Sequence, residues 1–535
     1  MISARTRSDL NALLQVGNID LAGATAEAAI DRGESDEILF TLAAQIRRQS
    51  GDYHTAVTFF QRAVALAPNN PDILTNAGDA MRYTGQLSEA IILFDRAIAC
   101  SPATVSAWYG RALACEAEGA LEEAQRSYTK VTELAPTMAS GFAALGLVQI
   151  QRGNIAEARK NISHAQMLGP DEYGTMMAAA HCEIADGNHR SGVDLLHKLI
   201  KLPMLTAENE ILARQLLGTT LEKIDLFEEA FDSYRLANER FARIHADRNA
   251  SPIALHAIEA IDHGVRNLDK KQLVPCTVSI PRKAAGHIFL LGYPRSGTTL
   301  AEQILATIPN VVSLEETQTF ADSDKYLTTE GIKSLATLSN DQIEQLRVKY
   351  WDIVENTGID VSGKTFVDMD PLKGSALPLI ARMFPDAKIV VMHRDPRDVI
   401  WSCYKHSFIY SPATYEFTSL ARAAHHFEAL MNLTRYCLKN MEISAHILSY
   451  KGLVRNFDQT TIRLCEFLGL TWSPELREFG KTAHSRTVRT ASVSQVRQPL
   501  FDGTGQWCRY AHHLEPIMPL LEPWIDPSHL LSDRR

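Results

Sequence analysis

Glycine, proline and alanine recur in the first part of this 535-residue chain at one interval of 34 residues. The glycines are Gly17, Gly51, Gly85, Gly119, Gly153 and Gly187, and the prolines are Pro68, Pro102, Pro136 and Pro170. Ala22, Ala56, Ala90, Ala124 and Ala158 keep the same step. Three residue types in one period require a repeated supersecondary unit: a helix, a tight turn at glycine, a second helix and a proline break. Between the markers, Gly85-Gln-Leu-Ser-Glu-Ala90 opens a helix in which Ala90, Ile91, Leu93, Phe94 and Ile98 make a packing face. Small residues such as Ala90 suit the close approach of a neighbouring helix.

The period and its markers resemble tetratricopeptide (TPR) repeats. About six or seven units fit between residues 3 and 240, with atypical end units acting as caps. The register slips by four residues near the end, where Leu217-Gly218, Ala230, Tyr234 and Ala237 fit a last repeat beginning near Arg214 or a few residues before it. The expected organisation is an all-α solenoid over 1–240, a junction over 241–285 and a second domain over 286–535. Asn249-Ala-Ser-Pro252 breaks the junction, and residues 253–261 read as a short amphipathic helix. A solenoid of this kind offers a groove to a peptide or protein partner; the alternative is that it only shapes or dimerises the chain.

Composition narrows the function classes. The formal net charge of -9, with no long basic run, gives no support for nucleic-acid binding. No apolar run approaches the roughly 20 residues a spanning helix needs. The N-terminus lacks a signal-peptide core, and the eight scattered cysteines show no CxxC pair. These features lead us to expect reduced thiols, a cytoplasmic setting, and neither a disulfide framework nor a metal site. His425-His426 lies in a helical stretch where adjacent residues face different ways, so it reads as surface or packing.

The chemistry concentrates after residue 286. An apolar run over 288–291 reads as a buried strand, and it stops in a turn holding Gly292, Pro294 and Gly297 before a helix. Such a turn aims successive backbone N–H groups and a helix N-terminus at one spot, an anion cradle. Gly292, four intervening residues, Gly297 and then Thr298-Thr299 have P-loop spacing, but Thr298 stands where the lysine would be. The positive charge is inside the loop, as Arg295. Further strands over 365–367, 388–392 and 445–448 alternate with helical stretches, indicating an α/β domain with a mostly parallel sheet. A second signal follows the 388–392 strand: Arg394, with Ser402 on the next helix, offers a cation and a hydroxyl suited to another phosphate. A third is the acidic turn Leu314-Glu-Glu-Thr-Gln318.

Pro294-Arg-Ser-Gly-Thr-Thr-Leu300 resembles the 5′-phosphosulfate loop of sulfotransferases, and residues 394–402 resemble their 3′-phosphate motif. The likeness spans roughly 286–510. It points to the tyrosylprotein sulfotransferase branch and to bacterial sulfotransferases fused to TPR repeats. The resemblance implies a P-loop-like α/β domain using 3′-phosphoadenosine 5′-phosphosulfate (PAPS) as co-substrate, without a metal. Arg295, Ser296, Gly297, Thr298 and Thr299 would wrap the phosphosulfate; Arg394 and Ser402 would hold the 3′-phosphate. Tyr450 would contact the nucleotide, and a late segment with Ser492 and Arg497 would close over it. The Glu-Glu-Thr segment implies Glu316 as catalytic base, with Arg295 stabilising developing charge. The acceptor would carry a hydroxyl, for example a protein tyrosine or a glycan.

Departures from the family pattern are specific. Met369 stands where the family places a lysine that touches the leaving group, and Gln506 stands at a late basic position. Lys373 and Arg509 are the substitutes the sequence offers. Gln318 stands where the tyrosine-specific enzymes have arginine. A scaffold adaptor with a weakly active or inactive transferase domain is the competing reading, and the missing loop lysine disfavours a P-loop kinase or hydrolase.

Overall fold

The computed structural model describes residues 2–249, 251–268, 283–480, 500 and 502–531. Two compact units divide between Leu205 and Thr206. The first holds helices α1 to α12, from Ala4–Gln15 to His189–Ile200, in antiparallel pairs. Each of the six 34-spaced glycines sits at the turn inside a pair with φ between 71° and 86°, a left-handed backbone that a side chain would strain. Within this unit, α5 (Pro71–Tyr83), α6 (Leu87–Cys100) and α7 (Val105–Glu118) show why small residues are needed. Phe94 of α6 is wholly buried between Gly78 of α5 and Gly110 of α7. A Cβ at Gly110 would lie 2.5 Å from the Phe94 ring.

The second unit opens with a seventh helix pair, α13 (Ala207–Glu222) and α14 (Phe227–Ile244), then α15 (Ile253–Arg266). Seven pairs match the upper repeat count, and the last one starts at Ala207, seven residues before Arg214. This pair belongs to the second unit for a physical reason. Asn238 donates to the Tyr404 carbonyl at 2.8 Å, and Lys405 pairs with Glu222 at 3.2 Å. Tyr510 donates to the same Glu222 at 2.9 Å, and the Phe231 ring stacks on Trp401 and Tyr404. The unit boundary therefore falls before the expected end of the solenoid at 240. The expected junction helix runs to Arg266, longer than its amphipathic signal at 253–261.

The rest is an α/β fold. In chain order come β1 (Gly286–Leu291), α16 (Thr298–Ala306), β2 (Val311–Glu315), α17 (Thr329–Thr337), α18 (Asn340–Asn356), β3 (Thr365–Met369) and α19 (Leu377–Met383). Then follow β4 (Lys388–His393), α20 (Pro396–Tyr404), α21 (Pro412–Glu416), α22 (Leu420–Asn440), β5 (Ser444–Ser449), α23 (Tyr450–Arg455) and α24 (Phe457–Leu468). The strands form one sheet in the order β2-β3-β1-β4-β5, and every neighbouring pair is parallel. Alternate residues face opposite sides. Ile288, Leu290, Val367 and Met369 join a buried cluster with Leu300 and Ile304 of α16. His287, Phe289 and Phe366 meet Tyr350, Trp351 and Phe384 on the other face. All five strands end on one side, where loops can share a ligand. No helix among the described residues is long and apolar enough to cross a membrane.

Gly110→Ala forces a methyl into the Phe94 ring. We expect a lower melting midpoint for the repeat unit, a cost of ~1–3 kcal/mol as for other overpacked cores. A smaller loss in a Phe94→Leu background, read by thermal circular dichroism, confirms the cause. Equal losses in both backgrounds would rule out this contact.

Candidate active site

The turn after β1 is built tightly. The Ser296 N–H donates to the Tyr293 carbonyl at 3.0 Å. Arg295 has φ 68° and Gly297 φ 105°. A Cβ at Gly297 would meet the Tyr450 ring at 2.8 Å, so only glycine lets α23 approach. Helix α16 then begins at Thr298 with no side-chain cap, and Ser296, Thr298 and Thr299 are all buried. The dipole end of a nine-residue helix thus points into the turn.

The second motif closes on the first. The parallel register aligns Leu291 of β1 with Val391 of β4, so the chain segments leaving both strands emerge side by side. Arg295 Nε donates to Ser402 Oγ on α20 at 3.1 Å. Arg394 donates from Nη1 to the Arg295 carbonyl at 2.9 Å and from Nη2 to the Gly503 carbonyl at 2.6 Å. Its guanidinium lies over the Tyr450 ring, 4.6 Å from the centroid. Its Nε is a buried donor with no partner among the described residues. Burial of the cation lowers the Arg295 pKa, Cys403 opposes this, and Arg394 adds to the lowering. Arg295, Ser296, Gly297, Thr298, Thr299, Arg394, Ser402 and Tyr450 are therefore brought together. Ser492 and Arg497 lie outside the described residues.

Glu316 faces this cradle across a pocket of about 240 Å³. Pro294, Arg295, Gly297, Thr298 and Thr299 line one part; Glu316, Gln318, Asp370, Pro371 and Leu372 line another. Phe408, Ser411, Thr414 and Phe417 complete it. Glu316 stands directly after β2 with φ 42°, a strained backbone for a side-chain-bearing residue. Burial, then the Asp370 and Glu315 charges, push its carboxyl up to about 7. Among the non-glycine residues with positive φ are the two proposed catalytic ones, Arg295 and Glu316.

The structure places the two sequence substitutes elsewhere. Lys373 is buried and donates to Asp368 Oδ1 at 2.5 Å, Thr319 Oγ1 at 3.1 Å and the Thr317 carbonyl at 3.1 Å. Those bonds use its three donors. Arg509 lies over the Phe227 ring at 5.0 Å. Met369 is fully buried in the cluster with α16, because its parity in β3 turns it to that face. Asp370, Phe408 and Phe417 are pocket residues that the motifs did not announce; Asp370 alone carried a signal, as the residue after a strand end.

His426 is buried and its Nδ1 lies 2.8 Å from the Tyr293 hydroxyl, a packing role, while His425 is exposed. Among the described residues, one group has the geometry to hold a metal ion: Glu228 with the second His pair, His512-His513. It lines no part of the pocket.

Residues 287–474 match the family model described as "Sulfotransferase family". Residues 4–252 match the model of the "Cilia and flagella-associated protein 70 C-terminal domain". An uncharacterized protein of Aquifex aeolicus (strain VF5) is 25% identical over 365 residues, covering 62% of this chain and 44% of that protein. The alignment thus spans less than half of that relative. A solved tetratricopeptide repeat protein from Parabacteroides merdae ATCC 43184 is 17% identical, with TM-score 0.39, over 44% of this chain and 92% of that one. YrrB, described as a TPR protein with an unusual peptide-binding site, is 21% identical, with TM-score 0.30, over 33% of this chain and 92% of its own. The chain thus carries a sulfotransferase-family domain at residues 287–474, preceded by an all-helical, TPR-like N-terminal region.

Proposed function

We propose that the second unit is a PAPS-dependent sulfotransferase acting on an acceptor hydroxyl. The observation that carries this is the single pocket joining the Arg295–Thr299 cradle to a buried carboxyl, Glu316, with a raised pKa. The acceptor O–H gives its proton to Glu316 as its oxygen attacks sulfur. The bond from sulfur to the bridging phosphate oxygen breaks, and adenosine 3′,5′-bisphosphate leaves with the electron pair. Arg295 and the turn N–H groups stabilise the charge that builds there. Arg394 and Ser402 take the 3′-phosphate, and Arg394 Nε, without a partner among the described residues, is a donor for that anion.

At about 240 Å³ the pocket is smaller than the ~300–1,000 Å³ of clefts that enclose whole ligands, which suits the hydroxyl-bearing end of a larger acceptor. A tyrosyl peptide and a glycan both present such an end. Gln318 in the lining, where the tyrosine-specific enzymes have arginine, counts against the tyrosyl peptide. The repeat unit would serve as a scaffold for a peptide or protein partner. A cavity of about 630 Å³ lined by Trp108, Arg111, Arg126 and Lys130 among others supports this. A second reading, an adaptor with a slow or inert transferase, is favoured by the burial of Met369 and the full engagement of Lys373.

Calorimetry tests nucleotide recognition. Arg394→Ala should weaken adenosine 3′,5′-bisphosphate binding by about 10–100-fold, the loss of one or two charged hydrogen bonds, and leave adenosine 5′-phosphate binding nearly unchanged. ATP turnover without bisphosphate binding would sink the proposal.

Activity tests the base. Glu316→Ala should lower kcat/KM by ~10²–10⁴-fold while bisphosphate binding persists. The working form is the carboxylate, so wild-type kcat/KM should rise with pH through about 7. Wild type inert across a broad acceptor panel would favour the adaptor.

A further inference from the structure

The pocket holds a second carboxyl, Asp370, and the sheet dictates where it stands. Parallel β2 and β3 place Glu315 opposite Met369, and both strands end there. Glu316 and Asp370 are the next residues. The Glu316 N–H donates to the Met369 carbonyl at 2.7 Å, carrying the strand pairing one step further. The Asp370 N–H donates to the Leu290 carbonyl at 3.2 Å, which ties it to β1 just below the phosphate turn. One step on, the Gly292 N–H donates to the Pro371 carbonyl at 3.2 Å. The Asp370 side chain is held by its own turn, with Oδ1 accepting from the Leu372 N–H at 2.9 Å. Both carboxyls line one pocket together with Arg295.

We propose that Asp370 is a positioning residue that acts on the acceptor hydroxyl through Glu316, the two carboxyls working as a pair at neighbouring strand ends. This rests on Glu316 being the base.

Close carboxyls resist double ionisation, so a pair of this kind keeps one proton over a wide range. The charges bearing on Glu316 are Asp370 and Glu315, and Arg295 lines the same pocket. Asp370 in turn faces Lys373 and Asp368, which are bonded to each other. Burial raises the Asp370 pKa, and the Lys373 charge opposes this. Burial first, then the neighbouring Asp370 charge, holds the proton on Glu316 up to about pH 7. Above that pH, Glu316 is a carboxylate beside a carboxylate, a stronger base than an isolated one. It takes the acceptor proton as the oxygen–sulfur bond forms and the sulfur–phosphate oxygen bond breaks. The proton then passes to solvent.

The test uses the full-length protein with Asp370→Asn and Asp370→Glu. Asparagine retains an oxygen that accepts from Leu372, so the turn has its bond and a thermal melt checks folding. The first readout is the ¹³C carboxyl titration of Glu316, assigned by its loss in Glu316→Gln. The second is the pH profile of kcat/KM for sulfuryl transfer. In Asp370→Asn the Glu316 titration should move from about 7 toward 4.5 without reaching it, because burial persists. The acidic limb of kcat/KM should follow, raising the ratio of activity at low to neutral pH several-fold, and Asp370→Glu should restore the wild-type limb. An unmoved Glu316 titration, or a uniform loss of activity at every pH, overturns the pairing. Wild type without sulfuryl transfer overturns the sulfotransferase reading instead, while the carboxyl titration still decides the pair.

Discussion

The Arg295 peptide and side chain join the two halves of the anion cradle. Its Nε bonds Ser402 Oγ on α20, and its carbonyl accepts from Arg394 beyond β4. Both contacts depend on β1 and β4 being parallel neighbours, with Leu291 at the end of β1 opposite Val391 and β4 running two residues further. They also depend on the left-handed backbone at Arg295, a conformation that costs of order 1–3 kcal/mol outside glycine. That cost is sustained because the turn is over-determined: the Tyr293 carbonyl accepts from the Ser296 N–H, and Gly297 packs against Tyr450. An extended Arg295 would release Ser402 and Arg394 together.

Much of the fold was readable because its determinants are local. The 34-residue step records a physical demand, one left-handed turn and one close helix approach per unit, as at Gly85 and around Phe94. Four strands were visible as apolar runs. β2 was not, because its middle residue, Ser313, is buried as a hydrogen-bond donor to Glu302 of α16. A buried polar pair breaks the pattern that marks a strand. The unit boundary was also hidden, since the contacts that draw α13 and α14 into the second unit come from residues far along the chain, Tyr404, Lys405 and Tyr510.

The site divides the same way. Residues in contiguous motifs, Arg295 to Thr299 and Arg394 to Ser402, were legible because one turn positions each group. Phe408, Ser411, Thr414 and Phe417 reach the pocket from a segment whose sequence shows no recognisable motif. Met369 shows the limit of alignment by motif. Strand parity, a property of the backbone, sends it into the core beside α16.

Lys373 has a different place from the one its charge suggests. Its ammonium is buried against Asp368, and Tyr350 donates to the other oxygen of that carboxylate at 2.8 Å. A buried ion pair needs its remaining donors satisfied to offset desolvation, and those donors go to the Thr317 carbonyl and Thr319 Oγ1. Thr317 directly follows Glu316. The lysine therefore ties down the loop that follows Glu316, the proposed base, while Asp370 lines the same pocket as Glu316. Among the described residues lining the pocket, this leaves Arg295 as the cation. Under the proposed reaction, the arginine that locks the two motifs together would also meet the charge on the leaving phosphate, and the strain in its backbone would serve both.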